Sequence, residues 1–439
     1  MVKFRLFVNL NKNVRFLKAK IISWSLNRGG ASIAAYRLFL ALMKYEKKDL
    51  FIDLHVNHGN SISKNITRPE NNIHLGWNLF RRYFGNKLQM LQATSNPTYH
   101  SSALLPCNMH KLINKSDFNI INLHWFQGEM LSIKNIKLIK KPIIFTLHDC
   151  WAFLGSEHYP NGYSDIRYIE GYTNKNKPLT HKGIDLDKIC WEMKKKYWSK
   201  KYQIICPSNW LAECAKKSKL MHSWPIDVIP NPVPINVYKP ISKNLARKRL
   251  NLNPNKNYIL SGALKITTDY RKGWDLLQAA LKKFSITNSN SSTEVLIFGE
   301  NEPKNPLNLG IKLNYFGRIY DEKSLALIYS AADVMVVPSR MENLPQTATE
   351  AQSCGTPVVA FDCSGFKDVI LHKKTGFLAK AFEIESLAEG MMWILNKKDN
   401  RQISINARQR ATSLWDPYII ANEYKKIYLK TIDKFDKTL

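Results

Sequence analysis

The chain has 439 residues, of which 44% are hydrophobic and 11% aromatic, and it carries a formal net charge of +30. This length exceeds one ordinary core, so we expect two globular domains, and the lack of a run of about 18 apolar residues argues against a membrane-spanning segment. The seven cysteines include no C-x-x-C pair and indicate neither a disulfide framework nor a zinc site. Basic residues interrupt the apolar N-terminus at 1–20, so we expect no export signal and a cytoplasmic protein.

The positive charge predicts attraction to polyanions such as nucleic acids, anionic lipids or phosphorylated substrates, without choosing among them. Alternatively, an Asn- and Lys-rich composition simply places lysines on solvated faces. Two segments, 79–87 and 191–201, interleave basic and aromatic residues, which is typical of helices at a membrane surface. In the first segment we expect one amphipathic helix that presents Phe80, Arg81, Arg82, Phe84 and Lys87 to anionic lipid.

Short apolar runs that end in turn signals and lead into helical patterns fill the first half of the chain. Strands that alternate with helices indicate parallel sheets with right-handed crossovers. The region 150–189 is rich in Gly, Tyr, Lys and Asn and interrupts the alternation, so we interpret it as a long inserted loop of the kind that is often functional or mobile. The predicted strands of this half are 21–24, 50–56, 119–123, 143–147 and 203–206.

Three prolines at 230–234 enforce extended backbone and mark a domain boundary. Alternation then resumes, and the fold class is α/β with two doubly wound domains that bind ligands at the carboxyl ends of their strands. The predicted strands here are 258–261, 294–298, 313–316, 334–337 and 358–361, with helices from 273 and over 322–331 and 346–354. The expected domains are 1–229, a linker over 230–257, 258–414, and a C-terminal helix over 415–439 that packs back on the first domain.

Two carboxylates frame the helix that follows the predicted strand 334–337. Glu342 lies in the loop before it and Glu350 within it, while Asn343 suits the N-cap and Pro345 the first turn. A helix N-terminus at this point would direct free N–H groups and the positive end of its dipole into a cleft, which suits a diphosphate. Taken singly, each acid is more typical of a solvated surface helix than of a binding site.

Glu342 and Glu350, spaced Glu-x7-Glu and followed by Ala-x-x-Cys-Gly-Thr-Pro-Val-Val, resemble the signature of family 4 retaining glycosyltransferases. The resemblance covers nearly the whole chain and implies the GT-B fold, in which two Rossmann-like domains face each other across a cleft. The His-Asp-x-Trp-Ala-Phe and Glu-Asn-Leu-Pro forms resemble a subgroup associated with bacterial surface polysaccharides of the colanic acid and O-antigen type. Further matching motifs lie, in order, at 27–31, 146–149, 207–210, 229–232, 271–273 and 316–318.

The resemblance also implies roles for individual residues. His148 and Glu342 would be catalytic groups beside the donor sugar, and Glu350 would accept hydrogen bonds from two ribose hydroxyls. Arg271 and Lys272 would neutralise the donor diphosphate. The other expected donor-binding residues are Asn343, Leu344, Gly317 and Arg318, and Gly29 and Gly30 would form an acceptor or phosphate loop, although a tight Rossmann turn explains that glycine pair almost as well.

The resemblance therefore implies a retaining glycosyltransferase with no metal or other cofactor, a nucleotide-sugar donor and a glycan or lipid-linked acceptor. It would build a surface polysaccharide such as an O-antigen, capsule or exopolysaccharide at the inner face of the cytoplasmic membrane, as a peripheral protein. An Asp-x-Asp motif, of the type that holds a metal in another glycosyltransferase fold, is present as Asp185-Leu186-Asp187. It follows a polar insert between Lys182 and Lys188, so we expect a solvated loop.

Two departures from the family keep a catalytically impaired scaffold protein open as an alternative. Gly262-Ala263 stands where the family has Gly-Arg, so that Arg271 would have to substitute, and Pro345 cannot donate an N–H. A third departure, the lack of the subgroup's extra cysteines at 155–159, predicts a different acceptor loop. A second alternative is a basic nucleic-acid-binding protein, but the chain has no zinc finger or RNP motif, so we expect no nucleic-acid partner. A nucleotide-dependent oxidoreductase would need a G-x-G-x-x-G turn after a strand, and neither half has one.

Overall fold

The computed structural model describes residues 16–46, 48–59, 63–69, 72–288, 292–305, 307–396 and 400–437. Most of the basic N-terminal segment, 1–15, lies outside these residues, and so do the last two residues of the expected C-terminal helix. The described chain forms two parallel sheets covered by helices. We refer to the parts that carry them as the N-terminal half, up to residue 228, and the C-terminal half, from residue 243.

The sheet of the N-terminal half contains the five strands predicted for it, which are confirmed. Helices cover both faces of a parallel sheet, so its strands are continuous apolar runs without alternation, as at Ile21, Ile22, Ile120 and Ile121, all fully buried. The strands of this sheet are β1 Leu17–Ser25, β2 Leu50–His58, β3 Ile66–Thr67, β5 Ile120–His124, β6 Ile143–Thr146, β8 Gln203–Cys206 and β9 Ile226–Val228. Two further strands, β4 Gln92–Ala93 and β7 Lys182–Gly183, pair with each other antiparallel outside it. The helices are α1 Gly30–Tyr45, α2 Asn72–Gln89, α3 Met109–Lys115, α4 Ile133–Ile136, α5 Arg167–Glu170, α6 Leu186–Tyr197 and α7 Asn209–Lys217.

The sheet of the C-terminal half confirms the strands and helices predicted there to within about a residue at each end. Its strands are β10 Asn257–Gly262, β11 Thr293–Phe298, β12 Lys312–Tyr315, β13 Val334–Val337, β14 Val358–Phe361 and β15 Gly376–Ala379. Its helices are α8 Lys243–Arg249, α9 Trp274–Thr287, α10 Glu322–Ala331, α11 Gln346–Ser353, α12 Phe366–Val369, α13 Ile384–Leu395 and α14 Arg401–Leu414, and α15 Pro417–Asp436 follows.

Both sheets have a point at which the order of the strands reverses. The first runs β3-β2-β1-β5-β6-β8-β9 and the second β12-β11-β10-β13-β14-β15, and every neighbouring pair is parallel. The reversals fall between β1 and β5 and between β10 and β13. Loops leave such a pair of strands toward opposite faces and open a crevice in which doubly wound proteins bind ligands. The loops after Ser25, His124, Gly262 and Val337 therefore border the two crevices.

The last helix, α15, returns to the N-terminal half. Tyr428 Oη accepts a hydrogen bond of 2.9 Å from Asn122 Nδ2 in β5, and Lys425 Nζ lies 2.7 Å from Glu46 Oε2. Ile420, Tyr424 and Tyr428 are buried in the same core as α1. The end of the described chain thus completes the core formed by its beginning.

The expected linker, 230–257, is helical in its second part. That part contains α8, which packs on α10 of the C-terminal half. Arg247 is buried there, with Nη2 at 2.8 Å from Asp333 Oδ2 and Nε donating to the Ala331 carbonyl at 3.0 Å. The charged sequence of α8 is typical of a solvated segment, but pairing with Asp333 allows a buried arginine.

The region 150–189, which we interpreted as a long inserted loop, packs into the interior. Trp151, Phe153 and Tyr172 are buried, and the basic segment 191–201 that follows turns Trp191 and Trp198 into the same interior. Fully buried Lys194 donates to the carbonyls of Leu154 and Gly155 at 3.0 and 2.6 Å. The expectation of a membrane-surface helix at 191–201 is therefore wrong, because its aromatic rings and central lysine are used inside the fold.

The first basic and aromatic segment, 79–87, lies in α2 and does present aromatic rings outward. Trp77, Phe80 and Phe84 are 58%, 54% and 46% exposed, and their rings stack in series at 5.6 and 6.3 Å. The expectation that Arg81 faces lipid is wrong, because Arg81 is buried and its Nη2 donates to the Leu105 carbonyl at 2.9 Å. Within the described residues, no helix is both long and apolar enough to span a membrane.

Candidate active site

Glu342 lies between β13 and α11, at the carboxyl edge of the second sheet. Its carboxylate is buried, with Oε1 2.5 Å from Lys272 Nζ. Burial acts to raise the pKa of Glu342, but Lys272 and Arg271 outweigh it, so the pKa lies below its ordinary value. Glu342 is therefore an ionised acid held against a cation at the edge of the crevice.

Two residues that sequence reasoning missed hold the backbone of this loop. Glu342 N donates to Ser364 Oγ at 3.1 Å, and Gly365 N donates to the Glu342 carbonyl at 2.9 Å. A Cβ atom at residue 365 would lie 1.4 Å from the Asn343 carbonyl oxygen, so this position requires glycine. The signal in the sequence was a Ser-Gly pair just after a predicted strand.

Arg271 and Lys272 occupy a 3₁₀ turn, Tyr270–Lys272, before α9. Lys272 lines a pocket at the β10 and β13 reversal. In this structure Arg271 Nη2 lies 2.6 Å from Asp269 Oδ2, and the Arg271 guanidinium carbon lies 4.4 Å from the centre of the Tyr159 ring. The role of Arg271 as a substitute for the arginine missing at Ala263 stays a prediction. The pocket is lined by Ser261, Gly262, Ala263, Ile266, Lys272 and residues 336–339.

His148 follows β6 in the N-terminal half, whereas Glu342 belongs to the C-terminal half. Its Nε2 lies 2.9 Å from Nδ1 of His124, the last residue of β5. Burial lowers the pKa of His148 to about 4 and lowers that of His124 well below its ordinary value, so both rings are neutral near pH 7. We did not foresee His124, although its place directly after a predicted strand at the reversal of the first sheet was a signal.

Asn343 connects the two halves of the chain. Its Oδ1 accepts from Ser208 Oγ at 2.6 Å, and its Nδ2 donates to the His148 carbonyl at 3.3 Å. The N-cap role expected for Asn343 is therefore wrong, and Pro345 occupies that position of α11. Leu344 packs into the core of the C-terminal half. Donor contacts by these two residues stay predictions.

The predicted glycine loop meets α11 from the other side. Gly29 has φ 89° at the start of α1, a left-handed conformation that favours glycine, and space is open around it. The Gly30 carbonyl accepts from Gln346 Nε2 at 2.5 Å. The loops after β1, β6 and β13 thus converge at one junction, which brings Gly29, Gly30 and Glu342 to the same region.

Glu350, inside α11, is buried and bonded on both oxygens. Arg37 Nη1, from α1, lies 2.8 Å from its Oε1, and Tyr329 Oη donates to its Oε2 at 2.9 Å. Arg37 also lies 2.7 Å from Glu322 Oε1. Burial raises the pKa of Glu350, and Arg37 opposes that rise. The carboxylate that we expected to bind ribose is bound by Arg37 in this structure. Sequence reasoning missed Arg37, although a lone arginine inside the otherwise apolar stretch of α1 was a signal.

Gly317 and Arg318 follow β12, which is the edge strand and lies two strands from β10. The Gly317 carbonyl accepts from Gly299 N at 2.8 Å, and the exposed Arg318 guanidinium lies over the Tyr320 ring at 5.0 Å. These residues share the carboxyl edge of the sheet with Glu342, on the far side of the Lys272 pocket. Their donor-binding role stays a prediction.

The Asp-x-Asp segment is not a solvated loop. Asp187 is 1% exposed and accepts from Gln92 Nε2 at 2.7 Å and from Ser156 Oγ at 2.6 Å. Asp185 caps α6 and lies 2.9 Å from Arg167 Nη2. Side chains distant in sequence supply the partners that allow these acids to be buried, which the local polar sequence did not indicate.

Comparison with known proteins identifies a family domain in the C-terminal half and the fold of the chain. Residues 242–410 match the model of the family described as "Glycosyl transferases group 1". D-inositol 3-phosphate glycosyltransferase of Segniliparus rotundus is 29% identical over 36% of this chain and 37% of its own length. UDP-Gal:alpha-D-GlcNAc-diphosphoundecaprenol alpha-1,3-galactosyltransferase of Escherichia coli is 24% identical over 74% and 79%. The chain spans 37–42% of the length of the first four curated relatives that it matches.

A solved structure extends the likeness to the N-terminal half. Sucrose-phosphate synthase of Thermosynechococcus elongatus superposes with a TM-score of 0.68 at 18% identity, over 95% of this chain and 100% of that one. At this identity the likeness concerns the fold. The chain therefore carries a glycosyl transferases group 1 domain at residues 242–410, and it has the GT-B fold of two Rossmann-like units.

Proposed function

We propose that this chain is a glycosyltransferase that moves a sugar from a nucleoside diphosphate donor to an acceptor glycan. The observation that carries the proposal is the Lys272–Glu342 ion pair, which lies at a sheet reversal where Asn343 joins it to the backbone of His148. A group 1 domain supports the assignment, since it contains both members of the pair.

Each group has a task in this reaction. The bond between the anomeric carbon and the diphosphate oxygen breaks, and its electron pair stays on the diphosphate. Lys272 and Arg271 stabilise that charge without a metal ion. The acceptor hydroxyl oxygen bonds to the same carbon and passes its proton to a diphosphate oxygen. Ionised Glu342 stabilises the positive charge that develops on the sugar, and neutral His148 donates or accepts a hydrogen bond at the sugar hydroxyls.

Retention of the anomeric configuration and membership of family 4 are parts of the proposal that rest on the Glu-x7-Glu resemblance. Glu350 would bind ribose once its contact with Arg37 opens or makes room. Gly29 and Gly30 would admit the acceptor to the reacting carbon, because the space around Gly29 is open.

The acceptor in this proposal is a lipid-linked sugar for a surface polysaccharide, and the protein works at the inner face of the cytoplasmic membrane. A relative that aligns over 74% of the chain is named for a diphosphoundecaprenol acceptor. The exposed aromatic face of α2 belongs to the half that would bind this acceptor, and a net charge of +30 favours anionic lipid. Nucleic acid is not a partner in this proposal.

Donor turnover tests the proposal directly. We would incubate the purified chain with UDP-, GDP- and ADP-sugars, alone and with polyprenyl diphosphate sugars, and follow released nucleotide and extended acceptor. We expect one donor to be consumed and Glu342→Gln to abolish most of this activity. Glu385→Gln, at an exposed acid of α13, is the matched control and should leave it unchanged. Consumption that is equal in the chain and in Glu342→Gln, or absent with every donor, would overturn the proposal.

A further inference from the structure

His124 and His148, at the carboxyl ends of the neighbouring strands β5 and β6, form a pair of imidazole rings. His124 Nδ1 lies 2.9 Å from His148 Nε2, and the ring centres are 5.1 Å apart. His148 is half-buried and lines a pocket together with Trp125 and Asp149. His124 is 1% exposed and is not among the described residues that line this pocket, so it can act on a bound ligand only through His148.

The pair carries two protons on four ring nitrogens. Burial lowers the pKa of both rings, so each is neutral near pH 7 and has a proton on one nitrogen only. At the contact, one nitrogen donates and the other accepts. Two arrangements are therefore possible, and they differ in which ring is the donor.

The outer nitrogen of His124 distinguishes these two arrangements. His124 Nε2 is buried and has no hydrogen-bond partner among the described residues. If His148 donated at the contact, the proton of His124 would lie on Nε2, as a buried N–H without an acceptor. Orphaned N–H groups of this kind are rare in protein interiors. If His124 donates from Nδ1, Nε2 is a bare nitrogen, so the surroundings of His124 favour donation from His124 to His148.

We propose that His124 is a positioning residue that holds His148 in the tautomer with its proton on Nδ1. His148 Nε2 accepts from His124 and cannot also carry the proton, and the tautomer of a histidine is set in this way by the bond at its other nitrogen. Among the described residues Nδ1 of His148 has no hydrogen-bond partner, so its N–H is left for a ligand. The inference rests on the proposed glycosyltransfer, and it narrows the role of His148 to donating a hydrogen bond to a hydroxyl oxygen of the donor sugar.

The tautomer of His148 can be measured without sugar transfer. We would label the ring nitrogens of the histidines in the full-length chain and record long-range proton–nitrogen NMR correlations, which distinguish a protonated ring nitrogen from a bare one. His148→Asn identifies the signals of His148 by their loss. We expect a protonated Nδ1 and a bare Nε2. A parent chain in which His148 is protonated on Nε2 would overturn the proposal, whether or not a donor is consumed.

Variants of His124 separate positioning from folding. His124→Leu removes the hydrogen-bond donor, so both tautomers of His148 become available, and kcat should fall at least about tenfold with little change in UDP affinity. His124→Asn offers an amide N–H near the place of Nδ1 and should restore both the tautomer and most of kcat. The matched control is His55→Leu, at another buried histidine of the same sheet whose Nε2 has no described partner and whose Nδ1 lies 3.1 Å from Thr67 Oγ1.

Each outcome of this comparison decides the inference. A His124→Leu chain that keeps the tautomer and the kcat of the parent would overturn the positioning role, and so would an equal loss of kcat in His55→Leu. If the parent chain consumes no donor, the proposed function fails, while the tautomers of the parent and of His124→Leu still decide this inference. If His124→Leu does not fold, the parent spectrum and His124→Asn decide.

Discussion

Arg37 of α1 and Glu350 of α11 form an ion pair between the two halves of the chain, with Nη1 2.8 Å from Oε1. The side chains are only 5% and 7% exposed. Removing one partner of such a buried pair leaves an uncompensated charge, which typically costs about 3–5 kcal/mol. The contact therefore ties the helix after the glycine loop to the acid expected for ribose.

The Arg37→Met substitution should make nucleotide binding depend on pH. Burial raises the pKa of Glu350 and Arg37 opposes this, so its loss raises that pKa further and Glu350 becomes protonated at a higher pH. A protonated acid accepts ribose bonds less strongly, so UDP affinity of the variant should fall as pH is lowered from 8 to 6. Titration calorimetry at several pH values measures the UDP affinity. Arg249→Met, at an exposed arginine of α8, is the control, and Glu350→Ala shows the affinity that remains without the carboxylate. If Arg37→Met binds UDP as tightly as the parent chain at every pH from 6 to 8, the role given to Glu350 is contradicted.

The Lys272–Glu342 pair should separate binding from turnover. Lys272→Met removes a cation at the diphosphate and should lower both UDP affinity and kcat, the latter by about 100-fold. Glu342→Gln removes the charge beside the donor sugar and should lower kcat by a similar factor with little change in UDP affinity. Steady-state kinetics and UDP titration on both variants provide the comparison. A Glu342→Gln chain that loses UDP affinity in proportion to kcat would place this acid at the nucleotide instead.

Donor binding should not depend on an added divalent metal. Lys272 supplies a fixed cation at the pocket bordered by Gly262 and Ser339, so UDP affinity should be the same with EDTA, Mg²⁺ or Mn²⁺. Asp185→Asn, which keeps a capping side chain on α6, should leave UDP affinity unchanged. Isothermal titration under the three conditions checks both statements. Affinity that collapses in EDTA and returns with Mn²⁺ would contradict the metal-free mechanism.

The aromatic face of α2 should bind anionic membranes. Trp77→Ser combined with Phe80→Ser removes two of the three stacked rings, each worth about 1.5–3 kcal/mol when buried, so vesicle binding should drop by at least about tenfold. Tyr320→Ser, at an 83% exposed ring of the C-terminal half, is the matched control. Sedimentation with anionic and neutral vesicles measures the fraction bound. Equal binding to both vesicle types, or to neither, would count against the membrane role.

Acid should destabilise the fold through buried neutral histidines. Burial lowers the pKa of His148 to about 4 and that of His55 to about 3, against an ordinary value of 6.5. Below pH 6.5 the unfolded chain binds protons that the folded chain does not, so stability is lost as pH falls toward 4. At pH 5 the loss should be about 2 kcal/mol for each histidine relative to pH 7. Urea unfolding at both pH values, with His55→Asn and His148→Asn, tests this, and parallel losses in parent and variants would refute it.

The sequence by itself determined the order of elements and therefore the class of fold. Continuous apolar runs such as 143–146 are long enough for one strand and end at polar turns, and strands separated by helices pair in parallel. Local chemistry also placed Glu342 after a strand and Arg271 and Lys272 before a helix. These features depend on neighbouring residues, so reading along the chain recovers them.

Only the tertiary structure decided which partners these side chains meet. Asn343 suits an N-cap locally, but Ser208 and the His148 backbone, remote in sequence, take its amide across the junction. Lys194 in a basic run reads as solvated, yet three carbonyls from 151–155 allow it to be buried. The free energy of a polar group depends on whether a partner replaces water, and that partner comes from another part of the chain that local sequence does not specify.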